Sequence, residues 1–404
     1  MRIVRIVTRM NIGGPSLHVA ILSNQLDSKR FSTCLMVGQT ETGEGSRLPW
    51  VENGPARIVK IRSLGRRLNP WKDLCAFFQI LQALRQEQPA VIHTHMAKAG
   101  TLGRLAGIIH NRFGPGRKPG RRAVLVHTFH GHVLEGYFSR GVSRIFASVE
   151  RWMAKQTDCL VAVSETVRDT LMARGIGTAE QWRVIRLGVD FSELKKLPDP
   201  NGSSPLRCGL VGRLVPIKNP ELFLQALEIL SRKDPGQPVQ GRIIGDGPLR
   251  QDLEERARQK GLSKTVSFLG WQKDAQSCYG DLDVVCVTSW NEGTPLSLIE
   301  AMAAGRTVVS TAVGGVTDLL GPQEGSQILP GHFGVAARGL LIQDGDGEGL
   351  AAALAVLARD PSLRRRLAES GRRYVLEQYS HTRLLQDVSE LYEQLTTNSS
   401  KRAS

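Results

Sequence analysis

The chain has 404 residues, 41% of them hydrophobic and 23% charged, with a net charge of +15. That length allows two domains, each with its own core, in the composition range of soluble globular proteins. No run of about 18 apolar residues occurs, so no transmembrane helix is expected. The six cysteines are scattered without metal or redox spacing and read as reduced and cytosolic. The charge is uneven: residues 1–200 hold 30 Lys/Arg against 15 Asp/Glu, while residues 201–404 hold 23 of each. Such a basic half suits a phosphorylated substrate, an anionic lipid surface or nucleic acid. Nucleic acid is disfavoured, because aromatics make up only 5% and none interleave with the basic residues as a stacking motif would require.

The first stretch, RIVRIV at 2–7, reads as a strand; arginines interrupt it too often for a signal peptide. Asn11-Ile12-Gly13-Gly14 follows and leads into a helix near Ser16. Paired glycines let a substrate approach the backbone closely. The pattern is not G-x-G-x-x-G, so no dinucleotide cofactor is expected. His18 lies early in that helix and can face a cleft, although a lone histidine is more often structural. Further strands are expected at 32–37, 56–61, 90–95, 123–129 and 158–164, with the amphipathic stretch Trp71 to Glu87 among the helices between them.

The histidines cluster at His93, His95, His127, His130 and His132. The H-x-H spacing can bind a metal, but supporting Asp and Cys residues are lacking nearby, and no metal is expected. His130, just after a strand and followed by Gly131, is the sharper candidate, placed to hydrogen-bond a sugar hydroxyl. Arg112, Arg117, Lys118, Arg121 and Arg122 form a dense basic cluster in a Gly/Pro-bearing loop, a candidate membrane or acceptor contact.

LPDPNGSSP, 197–205, has the composition of a linker. The expected division is an N-terminal domain at 1–196, the linker, a C-terminal domain at 206–379, a helix at 380–395 that packs back across the linker, and a disordered polar tail at 396–404. After the linker a second strand series begins: 206–212, 241–245, 266–270, 282–289 and 307–311. The fold class is therefore α/β, two Rossmann-like halves facing each other across a cleft, with ligands beyond the carboxyl ends of the strands.

Three loops of the second half carry chemistry. Arg213 and Lys218 lie between a strand and a helix that Asn219 caps and Pro220 opens; together they can hold a diphosphate. GDGPLR, 245–250, also follows a strand, with Gly245 allowing close backbone approach and Pro248 starting the next helix. SWNEGTPLSLIEAMAAG, 289–305, is the most informative. It offers Glu292 on a loop and Glu300 in the helix that follows. Thr294 is expected to cap that helix with Pro295 at its first position, which leaves the Leu296 and Ser297 amides free for an anion. Two carboxylates for hydroxyls and free amides for phosphate match a sugar joined to a nucleotide diphosphate.

These segments resemble the retaining nucleotide-sugar glycosyltransferases of the GT-B fold, the family 4 and group 1 type common in bacterial cell-surface polysaccharide synthesis. The pair Glu292 and Glu300, seven residues apart in between, is supported by GRLVPIK, GDGPLR, TFHGH and TAVGGVTDLL at 311–320. The resemblance implies that Arg213 and Lys218 bind the donor diphosphate, with Gly14 beneath it. It implies that Glu292 contacts the transferred sugar and Glu300 the ribose, with Gly245, Gly293, Thr294, Pro295 and Leu296 lining the donor. The base would lie near Leu269 to Trp271, and His130 near the reacting carbon. His18 and the 112–122 cluster would serve the acceptor or membrane side.

The activity implied is transfer of a hexose or N-acetylhexosamine to a lipid-linked saccharide. It would take place in the cytoplasm, peripherally on the inner face of the plasma membrane, without cofactor or metal. A UDP-sugar is favoured; Thr294, where many relatives carry an aromatic, leaves GDP-mannose open. A nucleotide-sugar 2-epimerase on the same fold is the alternative, and a non-enzymatic nucleic-acid binder a remote one.

Overall fold

A computed structural model of the protein describes residues 1–40, 45–118, 122–131, 140–200, 204–233, 239–323, 325 and 327–403, with backbone alone at 140–143 and 398–403. Arg121, His132 and linker residues 201–203 fall outside the described residues. The chain forms two compact units, Met1–Gly188 with His381–Ser404, and Val189–Ser380.

The first unit contains β1 (Arg2–Val7), α1 (Gly14–Gln25), β2 (Ser32–Val37), α2 (Leu48–Glu52), β3 (Arg57–Lys60), α3 (Pro70–Glu87), β4 (Val91–His95), α4 (Ala97–Phe113), β5 (Val124–Phe129), α5 (Arg140–Ala154), β6 (Cys159–Ala162), α6 (Glu165–Ala173) and β7 (Trp182–Val184). Its sheet is parallel throughout, in the order β3-β2-β1-β4-β5-β6-β7. Helices on both faces of such a sheet bury its central strands, which accordingly read as apolar runs. α3 starts where the sequence marks it: Asn69 accepts a hydrogen bond from the Lys72 amide, and Pro70 occupies the first turn.

The second unit contains β8 (Leu206–Val211), α7 (Pro220–Lys233), β9 (Val239–Ile244), α8 (Arg250–Gln259), β10 (Val266–Gly270), β11 (Val284–Val287), α9 (Leu296–Ala303), β12 (Thr307–Thr311), α10 (Val316–Leu320), β13 (Phe333–Ala336), β14 (Gly339–Ile342), α11 (Gly347–Arg359) and α12 (Pro361–Gln378). The sheet order is β10-β9-β8-β11-β12-β14-β13, with only β13 antiparallel. Leu210, Phe223, Leu227, Ile243, Val284 and Leu354 are among the residues of its core.

The last helix, α13 (His381–Ala403), belongs to the first unit. Leu384, Val388, Leu391 and Tyr392 pack with Ile3, Ile21, Val124 and Val126. Two details differ from the sequence reading. Helix continues to Ala403 where a disordered tail from 396 was expected. The units also divide at Gly188/Val189, ahead of the expected boundary at 196. The Val189 amide bonds the Tyr379 carbonyl at 2.8 Å, and Arg372 holds both Asp199, at 2.9 Å, and the Lys195 carbonyl. Pro, Gly and Ser mark exposed chain; they do not reveal which core the residues before them join.

Candidate active site

In each unit strands are added first on one side of the opening strand and then on the other, the switch falling between β1 and β4 and between β8 and β11; in the second unit β14 then turns back to insert between β12 and β13. Loops at the carboxyl ends of those strands are where open α/β sheets bind ligands. Most of the sequence candidates, the basic cluster excepted, fall at the carboxyl edge of one sheet or the other.

In the second unit, β8 runs into Gly212 and Arg213, and β9 into Gly245. A Cβ on Gly245 would meet the Gly212 carbonyl oxygen at 1.9 Å, so the two loops touch backbone to backbone. The Leu214 amide donates to the Asp246 carbonyl at 2.9 Å. Pro248, expected to start the next helix, lies with Leu249 in a turn, and α8 begins at Arg250. Arg213 is half-buried, and its guanidinium makes no ion pair or hydrogen bond among the described residues. Nearby Asp246 is paired instead with Arg250, at 3.0 Å.

Lys218 ends a single 3-10 turn, and Asn219 after it is left-handed, φ 44°. Thr288 Oγ1 donates to the Lys218 carbonyl at 2.9 Å, and the Trp290 amide to that of Ile217 at 2.9 Å, fixing this loop to the one after β11. Glu292 sits there, buried. Its Oε1 accepts from Lys218 Nζ at 2.5 Å and from Ser289 Oγ at 2.6 Å. Its Oε2 has no partner among the described residues, so one oxygen anchors the side chain and the other can accept from a ligand hydroxyl. The loop after β12 closes on the same residue: Gly315 N donates to the Glu292 carbonyl, and a Cβ on Gly314, φ +50°, would lie 1.9 Å from that oxygen.

The helix start differs by one residue from the expectation. Pro295 holds the N-cap position, α9 begins at Leu296, and no side chain caps it. Thr294 is buried one residue ahead of the N-cap position, and Pro295, which holds that position, has no side-chain oxygen to cap the helix. The first amide bonds of α9 run from Leu298 and Ile299 to Pro295 O; those of Leu296 and Ser297 find no acceptor among the described residues. Glu300 lies one turn on, and Tyr279 donates to its Oε2 at 2.6 Å. Burial, then the Glu300 charge, pushes the Tyr279 phenol well above its ordinary value, so it stays a donor. Leu269 and Trp271, at the end of β10, are exposed, and the Gly270 carbonyl between them holds the Gly245 amide at 2.9 Å. Gly293 is half-buried beside Glu292.

In the first unit, Gly13 precedes α1 and Gly14 is its first residue, at the end of β1. His18 is buried in that helix, its ring 5.1 Å from the His130 ring. His95, the last residue of β4, places Nδ1 3.1 Å from His130 Nε2. Behind it, His93 bonds Tyr392 OH at 2.6 Å and Thr128 Oγ1 at 2.7 Å. The structure thus brings His18, His95 and His130 together. Among the described residues His18 Nδ1, His95 Nε2 and His130 Nδ1 are buried without a partner. Burial lowers the His130 pKa to about 3, and burial followed by neighbouring imidazoles and Arg5 holds His18 and His95 well below the ordinary value. All three are neutral at physiological pH, each able to donate from one nitrogen and accept at the other. Among the described residues no group of three or more His, Cys, Asp or Glu is arranged to hold a metal ion.

Of the basic cluster, Arg112, Arg117, Lys118 and Arg122 are exposed in the connection from α4 to β5. Arg122 pairs with Asp158 at 2.8 Å and Arg112 with Gln156 at 2.7 Å. That connection enters β5 and therefore lies at the amino edge of the parallel sheet, the opposite edge from His95 and His130. Sequence reasoning did not single out His95, Ser289 or Tyr279. Strand alternation puts His95 on the face of His93, and Ser289 opens the 289–305 segment, but Tyr279 lies in a short π-helical turn with no sequence signal.

Two Rossmann-like units with ligand loops at both switch points define a GT-B architecture. Residues 12–193 match the family Glycosyltransferase Family 4 and residues 202–374 match Glycosyl transferases group 1. The chain belongs to these glycosyltransferases. It is 27% identical over 269 residues to an Escherichia coli UDP-Gal:alpha-D-GlcNAc-diphosphoundecaprenol alpha-1,3-galactosyltransferase, covering 64% of this chain and 67% of that one. It is 27% identical over 417 residues to a D-inositol 3-phosphate glycosyltransferase of Saccharomonospora viridis, covering 94% and 89%. Among solved structures, sucrose-phosphate synthase of Thermosynechococcus elongatus superposes with TM-score 0.78 at 20% identity over 98% of this chain and 100% of that one. Anabaena HepE, in complex with UDP and glucose, gives 0.75 at 19% identity over 98% and 100%.

Proposed function

We propose that the protein transfers a hexose or N-acetylhexosamine from a UDP-sugar to a lipid-linked saccharide, with retention of anomeric configuration. The observation that carries this reading is the group at the β8/β11 switch point: among the described residues Arg213 is unpaired, Lys218 sits beside a half-satisfied Glu292, and the amides of Leu296 and Ser297 are open. Breaking a sugar–phosphate bond builds negative charge on the departing diphosphate. Arg213, Lys218 and the α9 amides stabilise that charge where it forms, and no metal or cofactor is needed for this role. Glu292 Oε2 accepts from a hydroxyl of the transferred sugar, Glu300 from the ribose. Gly14 gives the phosphates close backbone approach, and the Leu269–Trp271 segment receives the base. His130, neutral and oriented by His95, hydrogen-bonds the sugar near its reacting carbon, with His18 alongside.

Retention follows from the family resemblance, which implies no nucleophilic carboxylate. Attack then comes from the face the diphosphate leaves: the acceptor oxygen bonds to the anomeric carbon, the sugar–phosphate bond breaks, and the acceptor proton passes to the diphosphate. The lipid-linked acceptor and the UDP donor are supported by the E. coli relative and by HepE, whose names carry them. The test is thermal stabilisation by UDP, GDP, ADP and their sugars, with Arg213→Ala/Lys218→Ala alongside. The expected result is a shift with uridine nucleotides alone that the double variant loses. No shift with any nucleotide, in folded protein, overturns the reading.

A further inference from the structure

The outer face of α3 carries a feature that the transferase chemistry does not use. Trp71 is 79% exposed, Phe78 57% and Leu74 48%, with Cys75 exposed between them. Spacing of three, four and seven residues puts these four side chains on one stripe over the first two turns, about 10 Å long. The opposite face, Ala76, Phe77, Ile80, Leu81 and Leu84, is buried in the core. Beyond Phe78 the outer face turns polar, at Gln82 and Arg85. Leu68, 69% exposed in the loop before α3, extends the stripe.

From the footprint of this stripe we infer that the start of α3 is the surface by which the protein lies on an anionic bilayer. From Arg62 to Arg85 the chain holds five cations, Arg62, Arg66, Arg67, Lys72 and Arg85, against one carboxylate, Asp73. Asp73 is already taken by Lys98, at 2.6 Å. A short apolar stripe bearing tryptophan and flanked by cations is the pattern of a helix lying in the plane of an interface. Its charge complements acidic headgroups.

Position gives the second argument. β3 is parallel to its neighbours, so α3 begins at the carboxyl edge of the sheet. Lys98, three residues after His95, ties Asp73 and the Arg67 carbonyl to that edge. The stripe thus shares an edge with His95 and His130, where a lipid-linked acceptor would present its saccharide; to this extent the inference rests on the function proposed above. Arg117, Lys118 and Arg122 lie at the other edge and are not the docking surface.

The test compares the full chain with Trp71→Ser/Phe78→Ser and with Arg117→Ser/Lys118→Ser. Binding is measured to vesicles of phosphatidylglycerol in phosphatidylcholine and to pure phosphatidylcholine. Both pairs of residues are exposed, so both variants should fold. The expected result is binding to the anionic vesicles that weakens with salt, falls about tenfold or more in the Trp71/Phe78 variant, and changes little in the Arg117/Lys118 variant. A polarity-sensitive fluorophore on Cys75, in a Cys278→Ser background, should shift to the blue when anionic vesicles are added. Equal vesicle binding by the Trp71/Phe78 variant, loss confined to the Arg117/Lys118 variant, or a fluorophore that does not respond overturns the proposal. So does a change of oligomeric state in buffer without vesicle binding, which would make the stripe a contact between copies. UDP-sugar binding is measured on the same samples: loss of vesicle binding with UDP binding intact concerns the stripe alone, and absent UDP binding in the wild type concerns the function.

Discussion

The two switch points use the same backbone geometry and opposite electrostatics. In the second unit the loops after β8 and β11 gather charge: Arg213, Lys218 and Glu292. In the first unit the loops after β4 and β5 gather imidazoles that burial keeps neutral, His95 and His130, with His18 from α1. On the function proposed above, this difference divides the work of one architecture. A leaving diphosphate calls for fixed positive charge, and a sugar hydroxyl for donors and acceptors that carry none. Neutral imidazoles meet the second need without attracting the anion to the wrong unit.

The comparison can be broken most sharply at Arg213. Arg213→Ala should lower the transfer rate by at least about a hundredfold, since it removes charge stabilisation that grows toward the transition state; steady-state kinetics reads this, and a change confined to KM would contradict the role. His130→Ala removes a neutral hydrogen bond and should cost less, about ten- to a hundredfold. With its pKa near 3, His130 should leave the pH–rate profile flat through pH 6 to 7. A limb near 6.5 that disappears in His130→Ala would show a titrating imidazole instead.

A third expectation concerns acid. The buried histidines have folded pKa values below their unfolded values, so the unfolded chain binds more protons as pH falls. The stability they contribute is complete above about pH 6.5 and is lost below it, by at most about 1.4 kcal/mol per histidine per pH unit. Hydrogen exchange should therefore show the first unit loosening before the second between pH 7 and 5; parallel loosening of both would remove the distinction. The smallest effect is expected at Arg122→Ala, which breaks an exposed pair with Asp158 and lies at the amino edge of its sheet, away from both switch points. Chemical unfolding should register about 1 kcal/mol or less, and transfer activity should be unchanged.

Much of this was legible in the residues. Apolar runs such as VVCV at 284–287 and VIHTH at 91–95 mark central parallel strands, and the restart of that rhythm after Pro205 marks the second unit. β7, β13 and β14, three or four residues each, were not anticipated. Arg213, Lys218, Glu292 and Glu300 were identifiable because strand ends and helix starts bracket them. The tie of Lys218 to Glu292 spans 74 residues, and that of Tyr279 to Glu300 crosses a π-helical turn; neither contact leaves a local pattern. Thr294 failed as a cap because α9 starts one residue later than the segment suggests, which puts Pro295 at the N-cap position.

The placement of α13 has a consequence for how the chain comes to be folded. Every residue of the second unit lies between Val189 and Ser380, so all of them are synthesised before His381. The first unit, begun earlier, must wait. Until Leu384, Val388 and Tyr392 emerge, Ile3, Ile21 and Val126 lack their covering helix and His93 lacks the hydroxyl that meets its Nδ1. The first unit is therefore the one that closes later: a chain cut after Ser380 would keep every residue of the second unit and leave the first unit's sheet without α13.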